Sequence, residues 1–352
     1  MSFLTVLSRD LSTVTNDLLG RRSPPFARRA ALGRHHHVIA SAHELLAPRT
    51  VTIAKITRET RDAVTLELDA TVDFRAGQFL TVMVEIDGVE HRRAYSLCTA
   101  PHEGRVAVTV KKLGLVSSYL NERARVGDRL RILGPSGSFG DAATGDEVVL
   151  IGGGSGVTPL MSIARSVLHR NPRARISLIL GNRTREDVIF YDALGALESE
   201  RFSVEHVFGD RFVAELPVSD GHYFLCGPAP MMAATREQLL GLGVPRTRIH
   251  EETFSSPTQK KTRLPTASQR ITIGAREATA TPGQTLLEAG LSAGISMPFS
   301  CTMGGCGACR VKLLAGDVEM EEPTCLTAAE REEGYVLACV ARAHSPVAIE
   351  VG

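Results

Sequence analysis

Cys301-Thr-Met-Gly-Gly-Cys306-Gly-Ala-Cys309, answered further on by Cys339, is the stretch that decides how this chain is read. It spells C-x4-C-x2-C, a long gap and a fourth cysteine, which is a ligand spacing of [2Fe–2S] clusters. Three thiolates from one short loop can surround one side of a cluster only if the backbone wraps it closely. Gly304, Gly305 and Gly307 remove the side chains that would stand in the way. The same glycines leave peptide N–H groups free to point at sulfur, which tunes the potential. The alternatives are a zinc site or buried free thiols. Zinc sites favour paired C-x2-4-C knuckles, and only one half of that pattern is present. The expected metal ligands are therefore Cys301, Cys306, Cys309 and Cys339.

Around that loop, 352 residues allow about two or three domains on length alone. A hydrophobic content of 43% and a charged content of 22% are ordinary for a globular chain that buries real cores. A net charge of +1 gives no general pull toward nucleic acid or a membrane surface. Of the seven cysteines, Cys98, Cys226 and Cys325 are left over, far apart, which argues against a disulfide framework and for a reducing compartment. No run approaches the roughly 18 apolar residues of a membrane span, and no signal-peptide run opens the chain. The expected location is the cytoplasm.

Residues 1–47 form an extension without an assigned role. Arg21-Arg-Ser-Pro-Pro-Phe-Ala-Arg28-Arg29 is basic and interrupted by proline, a possible arm toward an acidic partner. His35-His36-His37 is a run of neighbours that regular structure cannot turn toward one ion, so an exposed cluster is expected. From Val51 the pattern changes to short, alternating, β-rich runs at 51–56, 64–68, 79–84 and 106–110, separated by Gly77, Asp87-Gly88 and Glu103-Gly104. That rhythm predicts a small antiparallel barrel over residues 48–143. Within it, Arg93-Ala94-Tyr95-Ser96, placed at the start of a strand, offers a charge, a stacking face and a hydroxyl to an anionic flavin. Gly114-Leu-Val-Ser117-Ser118 opens a helix and reads either as a phosphate seat or as a plain serine cap.

The period switches after Gly145. Glu147-Val-Val-Leu-Ile151 is fit for a buried parallel strand, and Gly152-Gly153-Gly154-Ser155-Gly156-Val157-Thr158-Pro159 leads into a helix over Leu160–His169. Thr158 is expected to cap that helix, with Pro159 in its first turn. Strand, glycine loop and helix start together make a diphosphate site, although the spacing is not G-x-G-x-x-G. After the strand Arg175–Leu180, Arg183 and Arg185 stand where an acidic residue would hold a ribose hydroxyl; two arginines suit a 2′-phosphate, hence NADPH, with NADH possible. A third strand, His222–Cys226, ends in Cys226-Gly227-Pro228-Ala-Pro-Met231, where open α/β sheets bind ligands. Read alone, Cys226 is more often a small buried residue than a functional one. This α/β unit is predicted over residues 144–254. A polar, proline-bearing linker follows at 255–268, and a last unit at 269–352 holds the cluster loop. Cys325, surplus to four thiolates, is expected to be structural.

In this order the motifs resemble the ferredoxin–NADP reductase superfamily fused to a carboxyl-terminal ferredoxin, and most of all the reductase components of bacterial oxygenases. The resemblance runs from about residue 48 to 352. It implies an FAD-binding β-barrel, an NAD(P)-binding parallel-sheet domain and a β-grasp ferredoxin domain. By it, Arg93, Ala94, Tyr95 and Ser96 would hold the isoalloxazine and a nearby phosphate, and Ser117 and Ser118 the FAD pyrophosphate, with Lys111 also among the cofactor-binding residues. The nucleotide loop would be Gly153 through Pro159, with Arg183 and Arg185 at the 2′-phosphate. Gly227, Pro228, Met231 and Phe254 would complete the cofactor sites, and Ser96, Cys226 and Glu252 the catalytic positions. The implied activity passes electrons from NAD(P)H through FAD and the cluster to an oxygenase, hydroxylase or desaturase, membrane-bound or not. A redox-sensing flavoprotein, or a reductase for a hybrid-cluster or nitric-oxide-handling partner, are the alternatives. Near-zero charge and no helix-turn-helix argue against nucleic acid.

Overall fold

The computed structural model describes residues 48–209, 212, 214–254, 265–299, 301–304, 307–320, 326 and 328–351. The basic arm, the histidine run, Cys306, Cys325 and most of the expected linker lie outside the described residues.

The first sheet has six antiparallel strands: β1 (Arg49–Thr60), β2 (Ala63–Asp69), β3 (Phe79–Ile86), β4 (Val89–Ser96), β5 (Val106–Lys111) and β6 (Arg129–Ser136). They run in the order β4-β3-β6-β1-β2-β5, and a bridge from Leu97 to Val108 joins the two outer strands into a barrel. Alternation builds its core. Leu66, Leu80, Val82, Val108 and Ile132 point inward and are fully buried. Asp87 and Gly88 both take positive φ (53° and 75°), the two-residue hairpin turn that a D-G pair encodes. Helix α1 (Leu115–Arg123) follows β5. Arg93 lies well inside β4 rather than at a strand's start, a correction to the sequence reading. The sequence reading also passed over β6, whose arginines and glycine mask its Leu130-Ile132 inward pair.

The second sheet is wholly parallel: β7 (Glu147–Gly153), β8 (Arg175–Asn182), β9 (Phe202–Phe208), β10 (His222–Cys226) and β11 (Ile249–Glu252), in the order β11-β10-β7-β8-β9. Helices α2 (Val157–Arg170), α3 (Tyr191–Gly195) and α4 (Ala229–Gly241) lie between strands in sequence. Strand β9 is an edge strand, half exposed and polar in alternation, which hid it from the sequence reading. The order reverses between β7 and β10, so the crevice at their carboxyl ends is where such sheets bind ligands. Helix α2 fastens this sheet to the barrel. Ser162 donates to the Thr99 carbonyl at 2.6 Å, and Arg165 meets Glu103 at 3.1 Å.

The last unit is a mixed sheet of β12 (Gln269–Ile273), β13 (Arg276–Ala280), β14 (Arg310–Ala315), β16 (Tyr335–Leu337) and β18 (Val347–Val351), with a small pair β15 (Val318–Met320) and β17 (Ala341–Ala343). β12 and β18 pair in parallel at its centre. Helix α5 (Leu286–Ser292) packs Leu286, Leu287 and Leu291 into the same core as Ile271, Val311 and Ile349. Thr285 caps α5, accepting from the Glu288 N–H while Glu288 reaches back, a reciprocal pair worth about 1 kcal/mol. Helix α6 (Ala328–Glu332) precedes β16. Among the described residues no helix is long and apolar enough to cross a membrane.

Candidate active site and cluster loop

The glycine loop after β7 is built by what presses on it. A Cβ added at Gly156 would stand 1.9 Å from the Cys226 carbonyl oxygen, and one at Gly153 2.7 Å from the Met231 sulfur. The ends of β7 and β10 therefore touch backbone to backbone, which places Gly153–Thr158 beside Cys226-Gly227-Pro228. Helix α2 begins at Val157 with Gly156 as its cap residue, and Thr158 does not cap it: its hydroxyl donates to the Ser155 carbonyl at 2.9 Å. That leaves the first N–H groups of a 14-residue helix, with no acidic residue in the first turn, to favour an anion. Pro159, buried in the first turn, removes no helical hydrogen bond there. Lys111 adds a cation: its Nζ lies 3.7 Å from the position of a Gly154 Cβ and 3.8 Å from Asp62.

Three expected catalytic residues come together between barrel and sheet. Ser96, at the end of β4, donates to Glu252 at 3.4 Å, and Glu252 is the register partner of Cys226 across β10 and β11. Cys226 is fully buried, and burial, followed by the Glu252 carboxylate, holds its thiol well above the ordinary range. It is a neutral S–H at physiological pH. Burial likewise pushes the Tyr95 phenol up, with the neighbouring Arg93 opposing. Phe254, two residues past Glu252, is 44% exposed.

The other expected cofactor residues make local contacts. The Ser117 hydroxyl accepts from the Leu113 and Gly114 N–H groups at 2.9 Å each and donates to the Gly114 carbonyl. It is the third residue of α1, not its cap, and it shapes the Gly114 loop from within. Ser118 is half exposed on the same turn. Arg183 and Arg185 are exposed past β8, and Arg185 lies over the Tyr191 ring at 4.5 Å.

In the cluster loop Cys301, Cys309 and Cys339 are all buried and free of disulfides. Cys309 and Cys339 sit in the hydrophobic core of the last unit. The Cys339 thiol is pushed far up, first by its hydrogen bond to Cys309, then by burial and by Cys301, with the Gly304 N–H opposing. Thiols this close cannot all ionise without a cation among them, which is the service a cluster iron performs. The Met303 N–H reaches the Cys301 sulfur at 3.4 Å. The wrapping conformation is real: Gly304 and Gly307 have φ of 73° and 71°, and Thr302 has φ of 57°, unusual for a β-branched residue. Among the described residues no three His, Cys, Asp or Glu side chains share one ion position. A two-iron cluster does not require it, since its four thiolates divide between two irons. The donor set fits the group.

Sequence reasoning missed Thr81, whose hydroxyl donates to the Cys301 carbonyl at 3.2 Å. A threonine within a β-rich run carries no signal of such a contact.

Comparison with known proteins agrees with this geometry. Residues 50–140 match an oxidoreductase FAD-binding domain, residues 150–210 an oxidoreductase NAD-binding domain, and residues 271–344 a 2Fe-2S iron-sulfur cluster binding domain. The chain is 33% identical over 334 residues to one subunit of the 1,2-phenylacetyl-CoA epoxidase of Escherichia coli, covering 83% of this chain and 94% of that one. It is 36% identical over 303 residues to the ferredoxin reductase component of the 3-ketosteroid-9-alpha-monooxygenase of Mycobacterium tuberculosis, covering 77% and 83%. Its fold is that of phthalate dioxygenase reductase, with a TM-score of 0.60 at 24% identity over 89% of this chain and all of that one. Barrel, parallel sheet and cluster domain together supply the FAD, NAD(P)H and [2Fe–2S] sites of an electron-transfer reductase, and the chain belongs to the family of oxygenase reductase components.

Proposed function

We propose that this reductase delivers single electrons to an oxygenase, hydroxylase or desaturase component in the cytoplasm, taking them preferentially from NADPH. The observation that carries the reading is the meeting of Ser96, Glu252 and Cys226 at the crevice between barrel and sheet. When bound, FAD accepts electrons in a pair and gives them up singly, and the cluster carries one at a time.

The chain's own residues do the rest. Gly153, Gly154, Ser155, Gly156, Val157, Thr158 and Pro159 seat the diphosphate of the dinucleotide, and Arg183 and Arg185 supply charge for a 2′-phosphate. Gly227, Pro228 and Met231 form the opposite wall of that crevice, and Phe254 its aromatic lip. Arg93, Ala94, Tyr95 and Ser96 line the flavin side, with Lys111, Ser117 and Ser118 nearer the phosphates. Cys226 presents a compact neutral group where the nicotinamide would stack, so positioning rather than acid–base exchange governs the step. Glu252 holds the Ser96 hydroxyl in place across the crevice. Cys301, Cys306, Cys309 and Cys339 hold the irons.

The test is spectroscopic. The purified protein should be coloured, release FAD on boiling, and bleach faster with NADPH than with NADH. Reconstitution with candidate oxygenase components then identifies the acceptor. A colourless protein with no releasable flavin would contradict the proposal.

A further inference from the structure

Strand β3 is buried on both faces, although a barrel strand needs to bury only one. Leu80, Val82, Val84 and Ile86 point into the barrel core. Phe79, Thr81 and Met83 alternate to the outside and are nevertheless buried, Thr81 to 2% exposure. The outer face of this strand is covered, and at Thr81 the cover is the cluster loop. The Thr81 hydroxyl donates to the carbonyl of Cys301 at 3.2 Å, a contact between residues 220 positions apart. The Thr302 hydroxyl donates to the same oxygen at 2.7 Å. Cys301 is buried yet lies outside the core that holds Cys309 and Cys339. Across the sheet, Thr81 is the register partner of Ala94, in the middle of Arg93–Ser96.

We infer that Thr81 is the positioning residue that latches the cluster loop to the flavin barrel, setting the distance over which electrons pass from flavin to cluster. This rests on the assignments of Arg93–Ser96 to the flavin and of Cys301 to iron. One strand carries both ends of the route: its backbone pairs with the flavin-lining segment, and its side chain holds the carbonyl of a thiolate ligand. A buried hydroxyl donating to a backbone carbonyl is directional, and its loss removes that directional hold on the loop. Electron transfer between two centres weakens with every added ångström, so loosening the latch slows that step and spares the hydride step, which occurs at the crevice of β7 and β10.

The experiment compares wild type, Thr81→Val and Thr81→Ser as purified, cofactor-loaded full-length proteins. Thr81→Val matches the shape without the hydroxyl, and Thr81→Ser keeps the hydroxyl. In rapid mixing with NADPH, all three should show the same initial flavin bleaching and the same iron content. Cluster reduction, followed by its electron paramagnetic resonance signal, should slow in Thr81→Val by about fivefold, the equilibrium weight of one net hydrogen bond. Amide hydrogen exchange at Met303 and Gly304 should accelerate by a similar factor, a readout independent of turnover. Thr81→Ser should restore both. Wild-type cluster reduction and loop exchange in Thr81→Val would overturn the inference, as would equal slowing in both variants. A wild-type protein lacking flavin or iron would instead overturn the underlying assignments.

Discussion

Two glycine-rich loops stand at the candidate sites of this molecule, and their glycines answer different needs. In the nucleotide loop, Gly153 and Gly156 have backbone angles open to any residue, with φ of −139° and −60°. What excludes a side chain at these two is space, since the Cys226 carbonyl fills the place of a Gly156 Cβ and the Met231 sulfur crowds that of Gly153; only Gly154, with φ of 54°, is there for conformation. In the cluster loop, the backbone itself turns left-handed at Thr302, Gly304 and Gly307. There the requirement is conformational. A spatial glycine fails abruptly when replaced, because a backbone atom must move. A conformational glycine fails by a modest strain that iron binding can oppose.

Paired substitutions sharpen that contrast. Gly156→Ala should have the largest effect, because its methyl group would meet the Cys226 carbonyl. Separating β7 from β10 by about an ångström should lower the rate of flavin bleaching by NADPH by roughly 100-fold, while iron content stays normal. Rapid-mixing absorbance and an iron assay check both halves. If Gly156→Ala bleached at the wild-type rate, the close approach would not be functional. Gly304→Ala should instead leave flavin bleaching unchanged and cost about 1–2 kcal/mol in the apoprotein's denaturant midpoint. Loss of NADPH oxidation in that variant would break the distinction between the loops.

Cys226, against the nucleotide loop, yields a chemical prediction. Buried and raised in pKa, it should resist alkylation in the native protein at pH 8 and label only after unfolding. Rapid native labelling, located by mass spectrometry, would show the crevice to be open to solvent.

A smaller effect concerns the barrel–sheet junction. Burial raises the pKa of the Glu103 carboxyl, but the Ala100 N–H, Arg105 and Arg165 outweigh it, and the net shift is downward. A carboxyl lowered in the folded state contributes stability above its unfolded pKa. That contribution is lost as pH falls through the lower folded value. Glu103→Gln should therefore lower the melting temperature near neutrality and flatten the acid side of the profile below about pH 4.5, where the two proteins converge.

Much of this was legible in sequence because the signals are local. The cysteine spacing, the Asp87-Gly88 turn, the alternation of β2 and the run Glu147–Ile151 each report on a few neighbouring residues. The misses were of another kind. Strands β6 and β9 carry arginines, glycine and polar alternation, and only their sheet neighbours make them strands. Thr158 and Ser117 look like caps by type, but each hydroxyl is turned to a carbonyl or to N–H groups of its own loop. The contacts of Ser96 with Glu252 and of Thr81 with Cys301 join residues 156 and 220 positions apart. Such pairs leave no trace in spacing and depend on how three domains pack.

The central claim is that electrons arrive in pairs at the crevice and leave singly through the thiolate loop. Its most direct test is an anaerobic NADPH titration of wild type and Cys339→Ser, following flavin absorbance and the electron paramagnetic resonance signal of the reduced cluster. The account predicts that both proteins bleach their flavin, that only wild type develops the cluster signal, and that only wild type reduces cytochrome c. Unchanged iron content and an unchanged onward current in Cys339→Ser would contradict it.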